Sequence, residues 1–324
     1  MNLHQDLDAF IMLLEDIHQK TGYRLDVLEK DYYVVLLLYE LAEKQQAGLK
    51  AYFKGGTALY KALRMTNRFS EDVDISVDTR ECTRTQGDKR LEQATKKYIS
   101  LPRDSAAGET NRSEVKSVYR YTPMVSYDEN DILQRFGTVK VEATSFTISE
   151  PVEPLEIAPL IYEAASEEQK RILANVYNVK PFIVQTITLE RIFIDKLFAA
   201  EAYVRNSFKE QKAFEAAKHI YDLSVMSTHP KIKRLLSDEE QMGYLLDIRM
   251  NEELERLDGI PGVKPKEFIF FDTTSDNLDV KKVYKIMQKQ YVLRETDQID
   301  FETAITNLGL INSALQKNSA WIKA

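Results

Sequence analysis

The chain has 324 residues, of which 44% are apolar, enough for one large domain or two ordinary ones with a real core. Its formal net charge of −7 argues against a globally basic nucleic-acid-binding protein, although it leaves room for a local basic patch. The single cysteine, Cys82, excludes an intramolecular disulfide and suits a reducing compartment. The four histidines lack the spacing of a zinc site.

Neither a targeting signal nor a membrane anchor is predicted. The N-terminus lacks the basic-then-apolar order of a signal peptide. The longest apolar run, 32–39, is far too short to span a bilayer. We therefore expect a cytoplasmic protein with no membrane partner.

The first half of the chain mixes helical and strand patterns. Apolar residues at helical spacing predict two N-terminal helices. In chain order, the predicted elements are helices 2–20 and 25–46, strand 50–54, helix 57–65, strand 73–77, helix 87–99, loop 101–111, and strands 115–127 and 138–148. Residues 80–120 hold ten Lys or Arg against six Asp or Glu, so this segment is locally basic.

The second half is predicted to be mostly helical. Pro151, Pro154 and Pro159 mark a change of element and a plausible domain boundary. The sequence from Ser166 to Gln169 matches a capping box at a helix start. Further helices are predicted over 188–206, 209–226, 237–257, 279–291 and 300–322. This pattern predicts an α+β fold with two domains, 1–160 and 161–324. The sequence Gly259–Gly262 is interpreted as a plain turn rather than an RNA-clamping loop.

A glycine turn and two carboxylates lie close together in the sequence. Gly55, Gly56 and Thr57 follow a short apolar run and open a helical stretch, an arrangement that leaves backbone N–H groups free to hold phosphate. Asp72 and Asp74 alternate with apolar residues, so a strand sends both carboxylates to one face. Mg²⁺ takes oxygen ligands together with substrate phosphates, and this pattern therefore predicts a Mg²⁺–nucleotide site.

Two other kinds of binding site do not fit this segment. A calcium loop starting at Asp72 would need glycine at Val77 and glutamate at Thr83, so it is excluded. The Walker pattern is absent, which excludes a P-loop site. A polar strand end without function is the remaining alternative.

The motifs together resemble a known family. Lys54-Gly-Gly-Thr-Ala-Leu59, followed by Arg68-Phe-Ser-Glu-Asp-Val-Asp74, is similar to the AbiEii/AbiGii toxins within the polymerase-β-like nucleotidyltransferase superfamily. The sequence from Glu29 to Tyr32 also resembles the family's pattern; its alternative interpretation is a helix surface that packs against the nucleotide domain. The resemblance implies a polymerase-β-like domain, a mixed sheet flanked by helices, whose nucleotide cleft is closed by a helical C-terminal domain.

Glu142 is a candidate third carboxylate. Strand alternation puts it on the same face as Lys140 and Thr144. In the superfamily that the chain resembles, a carboxylate on a later strand helps activate the attacking hydroxyl. A solvated strand residue is the equally weighted alternative.

Lys196 and Asp222 are candidates on predicted helices. Lys196 falls on an apolar helical stripe, where a buried charge needs a partner, and a nucleotide triphosphate would be suitable. The family resemblance implies that this lysine supports nucleotide binding and that Asp222 lies near the active centre, orienting Lys196 or arginine side chains. A snorkelling lysine and a helix-face aspartate are the alternatives. Arg64 and Arg68, between the glycines and the carboxylates, are candidates for contacting phosphate or RNA, or have a surface role.

The predicted function is nucleotidyl transfer from an NTP to an acceptor hydroxyl, with Mg²⁺ or Mn²⁺ and release of pyrophosphate. The resemblance implies a toxin of type IV toxin–antitoxin and abortive-infection systems that modifies tRNA 3′ ends and blocks translation. It also implies an antitoxin encoded nearby, without a tight complex. The alternatives are a small-molecule or protein acceptor, or an inactive nucleotide-binding interaction protein.

Overall fold

The computed structural model describes residues 2–111, 113–127, 136–146, 150–207, 209–256, 262–271 and 278–317. Backbone contacts separate two compact units. The first comprises Met1–Arg64, Phe69–Ser145 and Val152–Ile187; the second comprises Met65–Arg68, Phe146–Pro151 and Thr188–Ala324. The last boundary between the two units therefore falls after Ile187. The predicted domain boundary at residue 160 and the closure of the nucleotide cleft by the second domain stay predictions.

The first unit is built on a seven-stranded mixed sheet. The strands are β1 Ala51–Lys54, β2 Val73–Val77, β3 Arg103–Thr110, β4 Glu114–Arg120, β5 Thr138–Thr144, β6 Val152–Ile157 and β7 Phe182–Ile187. Their order across the sheet is β3-β4-β5-β2-β1-β7-β6. Strand β2 pairs antiparallel with β1 and parallel with β5. With the helices described below, this sheet confirms the predicted α+β class.

Alternation in the central strands separates an apolar face from a polar one. Val73, Ile75 and Val77 of β2 are buried, as are the alternate residues Val141 and Ala143 of β5. Helices also pack against this sheet. The helices of the first unit are α1 Leu7–Thr21, α2 Leu25–Gln46, α3 Gly55–Thr57, α4 Arg84–Thr95, α5 Leu160–Glu163 and α6 Glu167–Tyr177. The predicted capping box at Ser166 is present at the start of α6.

Helix α2 is buried along most of its length, including charged side chains. Glu29, Lys30 and Asp31 are each at most 2% exposed, which fits their alternative interpretation as a helix surface that packs against the nucleotide domain. A Glu29 carboxylate oxygen accepts a hydrogen bond from the backbone N–H of Met124 at 2.8 Å, and burial raises the pKa of Glu29 to about 7. Lys30 donates to the carbonyl oxygen of Thr138. These bonds hold the backbone at Met124 and the start of β5 against α2.

The second unit is helical where it is described. Its helices are α7 Leu189–Arg205, α8 Glu210–Ser227, α9 Pro230–Ser237, α10 Glu239–Arg256, α11 Leu278–Tyr291 and α12 Phe301–Lys317. Helix α8 packs against α7, α11 and α12. None of the helices in the described ranges combines the length and the apolar character needed to span a bilayer.

Several predicted elements differ from the structure. The predicted loop over 101–111 contains strand β3, an exposed edge strand whose small and polar residues carry little strand signal. Strand β6 contains Pro154, and because β6 is an edge strand, a residue without an N–H donor is tolerated there. Strand β7 lies where mostly helical structure was predicted. Most of the turn predicted at 259–262 lies outside the described residues.

Candidate functional site

The glycine turn lies at the end of β1, where the chain enters a helix. The first helical turn, Gly55–Thr57, already contains the glycines, so the helix begins earlier than predicted, and it continues as a π-helical turn, Ala58–Ala62. The first N–H groups of a helix lack partners within it, so this turn can offer donors to phosphate. The sequence thus predicted the correct segment but placed the helix start two residues late.

Gly55 allows a carboxylate to approach this turn closely. Its φ of +78° suits glycine, and a Cβ atom built on it would lie 2.0 Å from Oδ2 of Asp74. Any other residue would therefore displace either the turn or the carboxylate. The structure brings Asp74 directly against Gly55, and the space for both depends on the missing side chain.

Thr57 also links the turn to the carboxylate segment, through its side chain. Its hydroxyl is buried, donates to the backbone carbonyl oxygen of Asp72 at 2.5 Å and lies 3.0 Å from Oγ of Ser70. This hydroxyl was predicted to contact the triphosphate, but its internal bonds favour a positioning role instead. Gly56 is half-buried within the same turn.

A row of charged side chains crosses four strands on the polar face of the sheet. Strand register pairs Lys54 with Asp74, Asp74 with Glu142, and Glu142 with Lys116. Paired residues of neighbouring strands project from the same face. Nζ of Lys54 reaches Oγ1 of Thr144 at 2.8 Å, which shows that β1 and β5 share this face. Glu142 is therefore next to Asp74, a neighbour that the pairing of β2 with β5 supplies.

Asp72 immediately precedes β2 and lies near the negative charges of Glu71 and Glu142. Burial and the neighbouring Glu71 raise the pKa of Asp72 to about 6, against the opposing effect of Lys140 and Lys30. Desolvation and like charges both disfavour an ionised carboxylate. A bound cation would relieve this cost, and perturbed carboxylates of this kind are common at functional sites.

A divalent cation fits these residues only if the substrate completes its coordination. Among the described residues, no group of three or more His, Cys, Asp or Glu side chains has the geometry to hold a metal ion. Mg²⁺ usually takes one or two protein carboxylates together with substrate phosphates and water. Asp72 and Asp74 beside the glycine turn suit that kind of site.

Glu142 is held by a neighbouring lysine. Its Oε1 lies 3.0 Å from Nζ of Lys116 on β4, and this carboxylate raises the pKa of Lys116 despite the opposing effect of partial burial. Both side chains are about one-third exposed. The alternative of a solvated strand residue therefore stays open for Glu142, and its role as third carboxylate stays a prediction.

The second unit contains a buried cluster of two cations and one carboxylate. Asp222 on α8 accepts hydrogen bonds from Nε and Nη2 of Arg68 at 2.9 and 2.8 Å, and it lies 2.6 Å from Nζ of Lys196. All three side chains are at most 6% exposed. The cations hold the pKa of Asp222 well below its usual range against the cost of burial, whereas burial lowers the pKa of Lys196.

This cluster changes the interpretation of three predicted site residues. Lys196 neither snorkels nor lacks a charge partner, since Asp222 supplies one. Arg68 is buried in a bidentate pair, so a surface role for it is wrong. Asp222 does orient both Lys196 and an arginine, as the family resemblance implied. Contact of any of the three with a nucleotide stays a prediction.

Arg64 behaves differently from Arg68. Its side chain is 64% exposed, and its Nη2 lies 3.5 Å from Oε1 of Glu163.

Three charged residues near the predicted site residues were not identified from the sequence: Lys54, Lys61 and Lys116. The strand alternation of β4 could have indicated Lys116, whereas Lys61 carries no signal in the sequence that separates it from a surface lysine.

Comparison with known protein families gives a match over most of the chain. A family model described as nucleotidyl transferase AbiEii toxin, type IV TA system, matches residues 36–307. The matched range includes the glycine turn, the carboxylate strand and the cluster around Asp222. A comparison with curated proteins gives no significant match.

Proposed function

The chain belongs to the AbiEii family of nucleotidyltransferase toxins of type IV toxin–antitoxin systems, and from this membership we propose that it transfers a nucleotidyl group from an NTP to the 3′ end of tRNA and so blocks translation. The observation that carries the proposal is the approach of the Asp74 carboxylate to Gly55 at the first turn of a helix. This arrangement combines N–H donors for phosphate with oxygen ligands for a cation.

The proposed reaction is an in-line displacement at the α-phosphorus of the NTP. The acceptor hydroxyl oxygen forms a bond to that phosphorus, the bond to the bridging α–β oxygen breaks, and pyrophosphate leaves. Gly55, Gly56 and the backbone of Thr57 would hold the triphosphate, because the N–H groups of the first turn lack helical partners. Glu142, beside Asp74 in the register, is the proposed acceptor of the hydroxyl proton.

Asp72 and Asp74 are the proposed ligands of Mg²⁺ or Mn²⁺. When bound, such an ion would neutralise phosphate charge and lower the pKa of the attacking hydroxyl. As ligands of such an ion, the two carboxylates would orient the triphosphate against the glycine turn. Since phosphoryl transfer needs little covalent chemistry from a protein, positioning and charge supply most of the rate.

Labelled NTPs test the reaction and its acceptor together. Purified protein is incubated with each NTP and Mg²⁺, with total RNA in one arm and with protein extract or small metabolites in others. We expect label in tRNA and loss of label with EDTA. Label only in proteins or small molecules would contradict the tRNA acceptor, and no transfer in any arm would contradict the enzyme. Sequencing RNA 3′ ends after induction in cells identifies the added nucleotide.

An antitoxin is implied by membership of a toxin–antitoxin family. We propose that it is encoded beside this gene and acts without a stable complex. Co-expression of the neighbouring gene should restore growth. Co-purification of the two proteins as a stable complex would contradict the second part of the proposal.

The basic segment 80–120 is the proposed surface for RNA. Two of its cations already have partners within the protein: Lys96 pairs with Glu92 at 3.1 Å, and Arg90 donates to the carbonyl oxygen of Asp78. Arg84, Lys89 and Lys97 are exposed on α4 or just after it. A phosphate backbone would bind these three more readily than the paired ones.

Charge reversal of Arg84, Lys89 and Lys97 to Glu should therefore weaken RNA binding without changing NTP affinity. Because each neutralised phosphate releases counterions, the slope of log affinity against log salt should fall by up to about 2. Filter binding across a salt series measures this. The control reverses Lys20, Lys170 and Lys180, which are outside the segment, and changes the net charge equally. Equal losses in both triple variants would contradict a specific RNA surface.

A further inference from the structure

A buried ion pair within the first unit involves the helical turn that follows the glycine turn. Lys61 belongs to the π-helical turn Ala58–Ala62 and is 2% exposed. Its Nζ lies 3.1 Å from Oδ1 of Asp31, a residue of α2 that is 1% exposed. Thirty positions separate the two residues in the chain, so the pair joins α2 to the helix that begins at Gly55.

The Asp31 carboxylate connects a third segment to this pair. Its Oδ2 accepts a hydrogen bond from the backbone N–H of Leu160 at 2.6 Å, at the start of α5. The hydroxyl of Tyr60, also in the π-helical turn, donates to Oδ1 at 3.4 Å. Oε1 of Glu163 lies 3.9 Å from Nζ of Lys61, on the more exposed side of the pair. Three segments therefore converge on one carboxylate.

Stability alone is a weak reason for such a pair. Desolvation of two charges often cancels their attraction, and replacing both partners by apolar residues is frequently neutral for stability. A buried pair can instead select one conformation among several. π-Helical turns are rare and are frequently found at functional sites. The turn here is closed by the N–H of Leu63, which donates to the carbonyl oxygen of Ala58 at 2.9 Å.

The pair fixes one end of a segment whose other end is the glycine turn. Thr57 ties that turn to the backbone of Asp72, and Gly55 is directly against Asp74. Lys61 follows Thr57 by four residues, so a shift of its turn would move Gly55–Thr57 against the carboxylates. The N–H groups, and the carboxylates as ligands of a cation, would bind one triphosphate only when the distance between them is fixed.

We propose that Asp31 and Lys61 form a positioning pair that sets the glycine turn at the correct distance from Asp72 and Asp74 for binding an NTP. This inference rests on the proposed function, because it assumes that the turn binds nucleotide. Neither residue touches the substrate. Both act through the backbone of Gly55–Thr57.

Lys61→Met, Asp31→Asn and the double variant test the proposal. A misplacement of about 1 Å can cost about 100-fold in rate, so we expect kcat/KM for the NTP to fall by about 10- to 100-fold in each variant. The loss should come mainly from a higher KM. The double variant should be more thermally stable than either single variant, but its NTP affinity should stay low. Lys61→Arg should be more stable than Lys61→Met and should bind NTP more tightly.

A matched control separates positioning from general destabilisation. Arg191 and Glu252 form another buried pair, at 2.5 Å, in the second unit. Arg191→Met and Glu252→Gln should lower the unfolding temperature without a comparable rise in KM. NTP affinity is also measured at equilibrium with a fluorescent NTP analogue, so that binding is read without turnover.

The outcomes distinguish this inference from the proposed function. Wild-type KM and analogue affinity in the folded double variant would overturn the positioning role and leave the transferase proposal intact. Equal rises in KM for the Arg191 and Glu252 controls would also overturn it. A wild-type protein that binds no NTP would contradict the proposed function, and this inference with it.

Discussion

Asp74→Asn should reduce nucleotide transfer by about 1000-fold, since it removes a negative charge that would hold the divalent cation while keeping the size of the side chain. The carboxylate is directly against Gly55, so an amide there cannot replace it as an anionic ligand. Asp72→Asn should have a similar effect. Transfer of labelled nucleotide by purified protein measures the loss, and induction in cells should no longer arrest growth.

Asp78→Asn is the matched control for this prediction. Asp78 follows the end of β2, four residues after Asp74, and its Oδ2 lies 3.0 Å from Arg80. This variant should keep most of the transferase activity. Unfolding temperatures should show that the variants fold. Growth arrest that persists in an Asp72→Asn, Asp74→Asn double variant would contradict catalysis at this strand and favour a non-enzymatic toxin.

Asp222→Ala should destabilise the protein by about 3–5 kcal/mol, because removing one partner of a buried ion pair leaves uncompensated charge. Here the change would remove the carboxylate that pairs with two buried cations, Arg68 and Lys196. Arg68→Met should cost less, since Lys196 still neutralises the carboxylate. Urea unfolding without nucleotide gives the free energies and keeps any catalytic role out of the measurement.

The pH dependence of stability follows from the same cluster. The folded protein holds the pKa of Asp222 below its unfolded value. The stabilisation is therefore fully present above the unfolded pKa, near 4, and is lost as pH falls below that value. Wild type and Asp222→Ala should differ most at neutral pH and converge in acid.

Asp247→Ala provides the control for Asp222. Asp247 is exposed on α10, and surface substitutions usually change stability by less than about 0.5 kcal/mol. An Asp222→Ala variant as stable as Asp247→Ala would contradict the buried cluster. An Asp222→Ala variant that is stable but inactive would instead indicate that Asp222 acts only in catalysis.

The sequence was sufficient where local patterns decide structure. Strand β2 has the bounds that alternation predicted, 73–77, because period two separates its apolar and acidic residues. The capping box at Ser166 fixed a helix start. The glycine and carboxylate motifs indicated the family, which the match over residues 36–307 confirms. The exposed strand β3 was missed, since its pairing depends on backbone hydrogen bonds to β4 rather than on its own side chains.

The sequence by itself determined the α+β class and the carboxylate strand, since these follow from neighbouring residues with a fixed period, and its glycine and carboxylate motifs indicated the family by resemblance. Only the tertiary structure decided the partner of each charge: Asp222 for Arg68, Asp31 for Lys61, and Lys116 for Glu142. These partners lie 154, 30 and 26 positions apart in the chain. A charged side chain looks the same in sequence whether buried or exposed, because its burial and its partner depend on segments brought together only by folding.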